Sequence, residues 1–146
     1  MSNIKPTTHR PSILLADDHA GTTEQMRALL EPGFEVISIV QDGLSLVSEA
    51  ARLSPGVIVT DISMPGLDGI DAAVQILHKN PQARIVFVTV HSEPLLVQRG
   101  LAAGALGYVL KDVAGDELVP AVNAALRGER YVSAAVGRIN GKKDPH

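Results

Sequence analysis

Residues 57–69 read V-I-V-T-D-I-S-M-P-G-L-D-G. The first four residues are typical of a strand buried on both faces, because they are apolar or β-branched without a break. The strand ends at Asp61, and a turn containing Pro65, Gly66 and Gly69 follows. Aspartate is a common turn residue, but a strand can also present it at the edge of a sheet for chemistry. The rest of the chain decides between these two interpretations.

Four other short apolar runs accompany this one, and helix-period segments separate the five. The runs are Ile13–Ala16, Val36–Val40, Val57–Thr60, Ile85–Val90 and Tyr108–Leu110. Between them, apolar residues recur at the spacing of amphipathic helices, as they do across residues 70–77. Such alternation requires parallel strands joined by right-handed crossovers. We therefore predict an α/β fold of the flavodoxin-like type, a five-stranded parallel sheet of order 2-1-3-4-5 with helices on both faces.

The composition is that of one ordinary globular domain. The chain has 146 residues, 45% of them hydrophobic but only 3% aromatic, so aliphatic side chains must form its core. The net charge of −3 argues against a surface devoted to nucleic acid. The lack of cysteine is typical of a cytoplasmic protein, and no apolar stretch approaches the roughly 20 residues of a membrane span. We predict a flexible leader at 1–11, a folded domain at 12–133 and a C-terminal tail or linker at 134–146.

Polar residues follow the predicted strands at the points where the strands end. Asp17 and Asp18 follow the first strand, and Asp61 follows the third. Thr89 lies near the end of the fourth strand, and Lys111 follows the fifth. Taken singly, each has an ordinary explanation, as a helix cap, a strand former or a surface lysine. Because the carboxyl ends of parallel strands meet at one edge of the sheet, we expect all five to converge there.

Three carboxylates gathered at one edge repel one another and need positive charge nearby. Two unit charges about 4 Å apart interact by about 4 kcal/mol at an effective dielectric constant of about 20. Lys111 supplies one positive charge, and a divalent cation would supply two more. Mg²⁺, or Mn²⁺ in its place, prefers oxygen ligands and also binds phosphate oxygens. The pattern therefore predicts a metal-assisted site in which a carboxylate receives a phosphoryl group.

Four motifs occur in order along the chain: L-L-A-D-D-H (14–19), V-T-D-I-S-M-P-G-L-D-G (59–69), V-T-V-H (88–91) and G-A-L-G-Y-V-L-K-D (104–112). Together they resemble the receiver domain of two-component response regulators, in particular the NarL/FixJ type. The resemblance implies that the domain at 12–133 is a receiver. It also implies that Asp61 accepts phosphate from a sensor histidine kinase.

The same resemblance implies a metal-binding role for several residues. Asp18 and Asp61 would be direct ligands of Mg²⁺, and Asp17 would act mainly through a metal-bound water. The backbone carbonyl of Ser63 would complete the protein's share of the coordination.

The resemblance further implies a switch around the phosphoryl group. Lys111 would pair with that group, and Thr89 would turn its hydroxyl onto a phosphoryl oxygen. Tyr108 would then change rotamer into the space that Thr89 releases. Ser63 and His91 would lie where their side chains control the access of water. The output would be a change in a surface that binds other proteins.

The output partner is left open by the sequence. NarL/FixJ-type regulators usually continue into a helix-turn-helix domain, but only 15 residues follow Tyr131. We therefore expect no specific DNA binding by this chain and no membrane association. It is predicted to be the regulatory part of a transcription regulator, with a free-standing receiver that docks to partners as the alternative. The resemblance is also consistent with a second copy of the chain as a partner, in a homodimer.

Three other classes compete with this interpretation. Haloacid-dehalogenase-type phosphatases also use an aspartate nucleophile, but theirs lies in an Asp-x-Asp motif, where this chain has Ala16-Asp17-Asp18. A flavodoxin-like electron carrier would need aromatic residues to stack on its flavin, and this chain has few. A purely structural interaction module explains none of the acidic edge. We therefore predict a phosphoryl acceptor that is not an enzyme, with at most slow self-phosphorylation and self-dephosphorylation.

Overall fold

The computed structural model describes residues 10–136, in which strands and helices alternate. The strands are β1 (Ser12–Ala16), β2 (Glu35–Val40), β3 (Val57–Thr60), β4 (Ile85–Thr89), β5 (Gly107–Leu110) and β6 (Tyr131–Val132). The helices are α1 (Ala20–Leu30), α2 (Gly43–Leu53), α3 (Gly69–Lys79), α4 (Pro94–Ala102) and α5 (Ala114–Leu126). A short 3₁₀ turn at Lys111–Val113 leads from β5 into α5.

The strands form one parallel sheet of order β2-β1-β3-β4-β5-β6. The predicted flavodoxin-like fold and the order of the first five strands are confirmed. The predicted number of five strands is wrong, because β6 adds to the edge of β5. Gly128 has φ +74° just after α5 and turns the chain back. The amide of Tyr131 then donates to the carbonyl of Leu106 at 2.8 Å.

The sheet separates two apolar layers, because successive side chains of a strand point to opposite faces. Leu14, Ile58 and Phe87 pack on one face with buried side chains of α2, α3 and α4. Ile13 and Val86 pack on the other face with buried side chains of α1 and α5. Each helix thus covers the strands that it connects, and β3, β4 and β5 are buried along their whole length.

The turn between β3 and α3 holds the backbone tightly around Asp61. Gly66 has φ +72°, a conformation that glycine adopts without strain. A Cβ at Gly69 would overlap the carbonyl oxygen of Asp61, so only glycine fits there. The carboxylate of Asp68 accepts from the amide of Asp71 at 2.8 Å and caps α3. The turn therefore fixes Asp61 at the edge of the sheet.

Both ends of the described segment are attached to the domain. The carbonyl of Pro11 accepts from the amide of Glu35 at 2.9 Å, and Val136 is 1% exposed. Residues on both sides of the predicted boundary at 133 are therefore packed against the domain. The division into leader, domain and tail stays a prediction. Residues 1–9 of the predicted leader and 137–146 of the predicted tail lie outside the described residues. Between residues 10 and 136, no helix has the length and apolarity needed to cross a bilayer.

Candidate functional site

Three charged side chains from distant parts of the sequence meet at the carboxyl edge of the sheet. The Nζ of Lys111 lies 2.9 Å from Oδ2 of Asp17 and 2.9 Å from Oδ2 of Asp61. Asp17 follows β1, Asp61 follows β3 and Lys111 follows β5, so the parallel sheet alone brings them together. All three are largely buried, with Asp17 fully so. The structure thus unites the acidic and basic residues that the sequence placed at this edge.

Both carboxylate oxygens of Asp61 are held by hydrogen bonds. Oδ1 accepts from the amide of Ile62 at 2.7 Å, and Oδ2 accepts from Lys111 at 2.9 Å. The amide of Asp61 donates to the carbonyl of Ala16, which anchors the residue to β1. Asp61 is only 4% exposed. These bonds fix the orientation of the carboxylate, and little of it is exposed to solvent.

Asp17, Asp18, His19 and Asp61 form an acidic cluster with one histidine. Each offers one ligand atom, and these atoms lie within 4.8 Å of one another. The Nδ1 of His19 lies 3.2 Å from Oδ1 of Asp17 and 3.0 Å from Oδ1 of Asp18. The oxygen atoms of three carboxylates suit a hard divalent cation such as Mg²⁺. Sequence reasoning missed His19, whose only signal was its position directly after the aspartate pair.

The charge of Lys111 is set by opposing effects. Burial works against the ammonium, but the hydrogen bonds and charges of Asp17 and Asp61 outweigh it and raise the pKa of Lys111. The side chain therefore stays protonated at neutral pH. One ammonium faces two nearly buried carboxylates, so the cluster keeps an excess of negative charge that a cation would offset.

Thr89 and Tyr108 meet at the backbone of His91. The hydroxyl of Thr89 accepts from the amide of His91 at 3.2 Å, and the hydroxyl of Tyr108 donates to the carbonyl of His91 at 2.8 Å. Both side chains are fully buried. Burial and the charges of Glu93 and Asp61 raise the pKa of Tyr108. The tyrosine thus already occupies its inward position, linked to Thr89 through one residue.

Aromatic packing holds the inward ring of Tyr108. It packs edge-on against Phe87, with ring centroids 6.2 Å apart and ring planes at 65°. Gly100 of α4 lies against the same pair, because a Cβ there would be 3.3 Å from both rings. Helix α4 therefore approaches these rings so closely that a Cβ at this position would make a tighter contact than is usual.

The loops after β3 and β4 are bridged above the site. The hydroxyl of Ser63 lies 2.8 Å from Nε2 of His91, and the Nδ1 of His91 lies 3.5 Å from Oε1 of Glu93. The two side chains expected to control the access of water are therefore in contact with each other. Sequence reasoning placed both near the site but did not foresee this hydrogen bond, which depends on how the two loops face each other.

The chain is similar to known proteins along most of its length. The family model described as the response regulator receiver domain matches residues 13–123. The transcriptional regulatory protein DegU of Brevibacillus brevis is 30% identical over 136 residues, which are 92% of this chain and 58% of that protein. The chain spans 58% to 62% of the length of the first curated relatives that it matches.

Solved structures agree with this result. A LuxR-family two-component response regulator from Aurantimonas sp. SI85-9A1 has a TM-score of 0.88 and 31% identity, over 94% of this chain and 100% of that chain. The RcsB response regulator of Salmonella typhimurium, described for its conformational dynamism in DNA interaction, has a TM-score of 0.83 and 28% identity, over 90% of this chain and 70% of that chain. The chain belongs to the response regulator receiver family.

Proposed function

We propose that Asp61 accepts a phosphoryl group from a phosphohistidine of a sensor histidine kinase. The observation that carries this proposal is the placement of the Asp61 carboxylate between the ammonium of Lys111, 2.9 Å away, and an acidic cluster suited to a cation. A carboxylate oxygen attacks the phosphorus, and the phosphorus–nitrogen bond breaks. The electron pair of that bond remains on the imidazole of the kinase, and Asp61 becomes an aspartyl phosphate.

Two sources of positive charge support the transfer in this proposal. Lys111 offsets the negative charge on the transferring oxygens from within hydrogen-bonding distance of Asp61. Mg²⁺, when bound, supplies further positive charge to these oxygens. Asp18 and Asp61 would hold the metal directly, Asp17 would do so through water, and the backbone carbonyl of Ser63 would complete the set. Mn²⁺ offers the same chemistry.

The proposed switch uses Thr89 and Tyr108. The hydroxyl of Thr89 would leave the amide of His91 and bind a phosphoryl oxygen. Tyr108 is recorded in its buried rotamer, so the phosphoryl group would stabilise a position that the ring already adopts. The phosphoryl group then shifts a population between two arrangements of the face formed by α4, β5 and α5.

The wider role is part of the same proposal. The chain would be a cytoplasmic phosphoacceptor with at most slow self-phosphorylation and self-dephosphorylation, divided into a leader at 1–11, a receiver at 12–133 and a tail or linker at 134–146. Because the relatives are longer and DegU is a transcriptional regulatory protein, it would be the regulatory part of a transcription regulator. The alternative is a free-standing receiver that docks to partners. A homodimer is the further proposed partner, and this chain alone would not bind DNA specifically.

Incubation with acetyl phosphate and Mg²⁺ tests the acceptor role. Intact mass should show one added phosphoryl group, and EDTA should prevent it. Asp61→Ala should abolish the addition, whereas Asp112→Ala, at an exposed position beside Lys111, should retain it. A phosphoryl group that persists in Asp61→Ala would overturn the assignment.

A further inference from the structure

The segment Tyr131–Val136, here called the C-terminal strap, begins with β6 beside β5 and continues into a helical turn at residues 134–136. Tyr131 pairs with Gly107 and Val132 pairs with Tyr108 in parallel register. The amide of Ser133 donates to the carbonyl of Tyr108 at 2.9 Å. The strap is therefore bonded directly to the backbone of the residue proposed as the switch.

A buried hydroxyl fastens the strap at a second place. Ser133 is fully buried, and its hydroxyl donates to Oε1 of Glu117 on α5 at 2.6 Å. The Oγ of Ser133 also accepts a hydrogen bond from the amide of Leu110 at 3.0 Å. A buried hydroxyl is stable only with such partners. Undocking of the strap would leave the carboxylate of Glu117 and the amide of Leu110 without this partner.

Apolar packing joins the strap to the switch region. Val136 is 1% exposed and belongs to the same buried cluster as Phe87, Val97 and Tyr108. Val132 packs against that cluster. The strap thus covers apolar side chains of α4, β4 and β5 in addition to its hydrogen bonds.

The end of β5 connects the strap with Asp61. Leu110 is bonded to Ser133, and the next residue, Lys111, is bonded to Asp61. A phosphoryl group on Asp61 would add negative charge beyond the edge of the sheet, toward which the ammonium of Lys111 would move. Such a movement would strain the bond between the amide of Leu110 and Ser133, which at 3.0 Å is the longer of the two that the hydroxyl makes.

We propose that phosphorylation of Asp61 weakens the docking of the C-terminal strap, and that loosening of the strap favours the phosphorylated state in return. This inference rests on the proposed acceptor role of Asp61. The reciprocity is thermodynamic, because any two linked equilibria must affect each other by the same factor.

Hydrogen exchange of the full chain with and without acetyl phosphate and Mg²⁺ tests the first half. Intact mass of the same sample records the phosphoryl group. Exchange in the peptide covering residues 131–136 should rise several-fold on phosphorylation and stay constant in Asp61→Ala. A phosphorylated chain with unchanged exchange in this peptide would overturn the proposal. If no phosphoryl group appears at all, the acceptor role fails, and the coupling fails with it.

Ser133→Ala tests the reverse direction, with Ser48→Ala at an exposed position of α2 as the matched control. The affinity of Mg²⁺ and beryllium fluoride, a phosphoryl mimic, should rise severalfold in Ser133→Ala and stay constant in Ser48→Ala. Val136→Ala, which only removes apolar packing, provides a second loosened strap if Ser133→Ala does not fold. A strap with raised exchange but unaltered affinity for the mimic would contradict the coupling.

Discussion

The carboxyl and amino ends of the sheet differ in their chemistry. Among the described residues, six polar side chains are buried, and five of them stand at or directly after the last residue of a strand: Asp17, Thr60, Asp61, Thr89 and Ser133. At the opposite end, neutral hydrogen bonds from backbone amides hold the segments that lead into the strands. The amide of Leu106 donates to Ile85 at 2.8 Å, and the amide of Gly56 donates to the hydroxyl of Ser12 at 2.9 Å.

This difference indicates how the fold divides stability and function. Buried like charges oppose folding, and the carboxyl end tolerates them because Lys111 lies between Asp17 and Asp61. The amino end contains neutral hydrogen bonds and close backbone packing, which stabilise the fold. Substitutions at the carboxyl end should therefore change phosphorylation first, and substitutions at the amino end should change the free energy of unfolding first.

Lys111→Met should have the largest effect. It removes the ammonium that lies against Asp61, so the rate of phosphorylation by acetyl phosphate should fall by about 100-fold or more. Quantitative intact mass over time measures the rate. Lys79→Met, at an exposed position of α3, should leave it unchanged. An unaltered rate in Lys111→Met would show that this lysine only balances charge in the resting protein.

Gly104→Ala should affect the opposite end. Gly104 has φ +108°, and a Cβ there would lie 2.7 Å from Cδ1 of Leu77. The free energy of unfolding in urea should fall by about 1–3 kcal/mol, while the phosphorylated fraction remains that of the parent chain. Gly21→Ala, in α1 with open space around its Cα, should not destabilise. Equal stability of the two variants would argue against the division between the two ends.

Alkaline pH should reveal the burial of Tyr108. Its raised pKa means that the folded chain holds this proton more tightly, so the contribution to stability is complete below about pH 10 and is lost as pH rises further. The unfolding free energy of the parent chain should fall above that pH more steeply than that of Tyr108→Phe, by up to about 1.4 kcal/mol per pH unit. Urea unfolding from neutral pH to about pH 11 measures the slopes.

Tyr131→Phe is the comparison for this experiment. Slight burial and the nearby Glu117 also raise the pKa of Tyr131, but this ring is less buried than that of Tyr108. Removal of the Tyr131 hydroxyl should therefore change the pH dependence of the unfolding free energy less than removal of the Tyr108 hydroxyl does. Identical slopes in the two variants would contradict the buried position of Tyr108.

Local patterns were enough to predict much of this molecule. The unbroken apolar runs predicted β1 to β5, and parallel topology then predicted that Asp17, Asp61 and Lys111 would meet. Strand β6 could not be predicted in this way, because its two residues carry no period and it forms only against the edge of β5. The inward rotamer of Tyr108 and the contact between Ser63 and His91 likewise depend on how separate loops pack.

The lack of a side chain at Gly100 links the packing of the aromatic pair to the position of α4. Because this helix position lacks a side chain, α4 lies directly on the rings of Phe87 and Tyr108. Outward rotation of the Tyr108 ring would leave a void beneath α4, so any movement of this ring must change how the helix packs on the sheet.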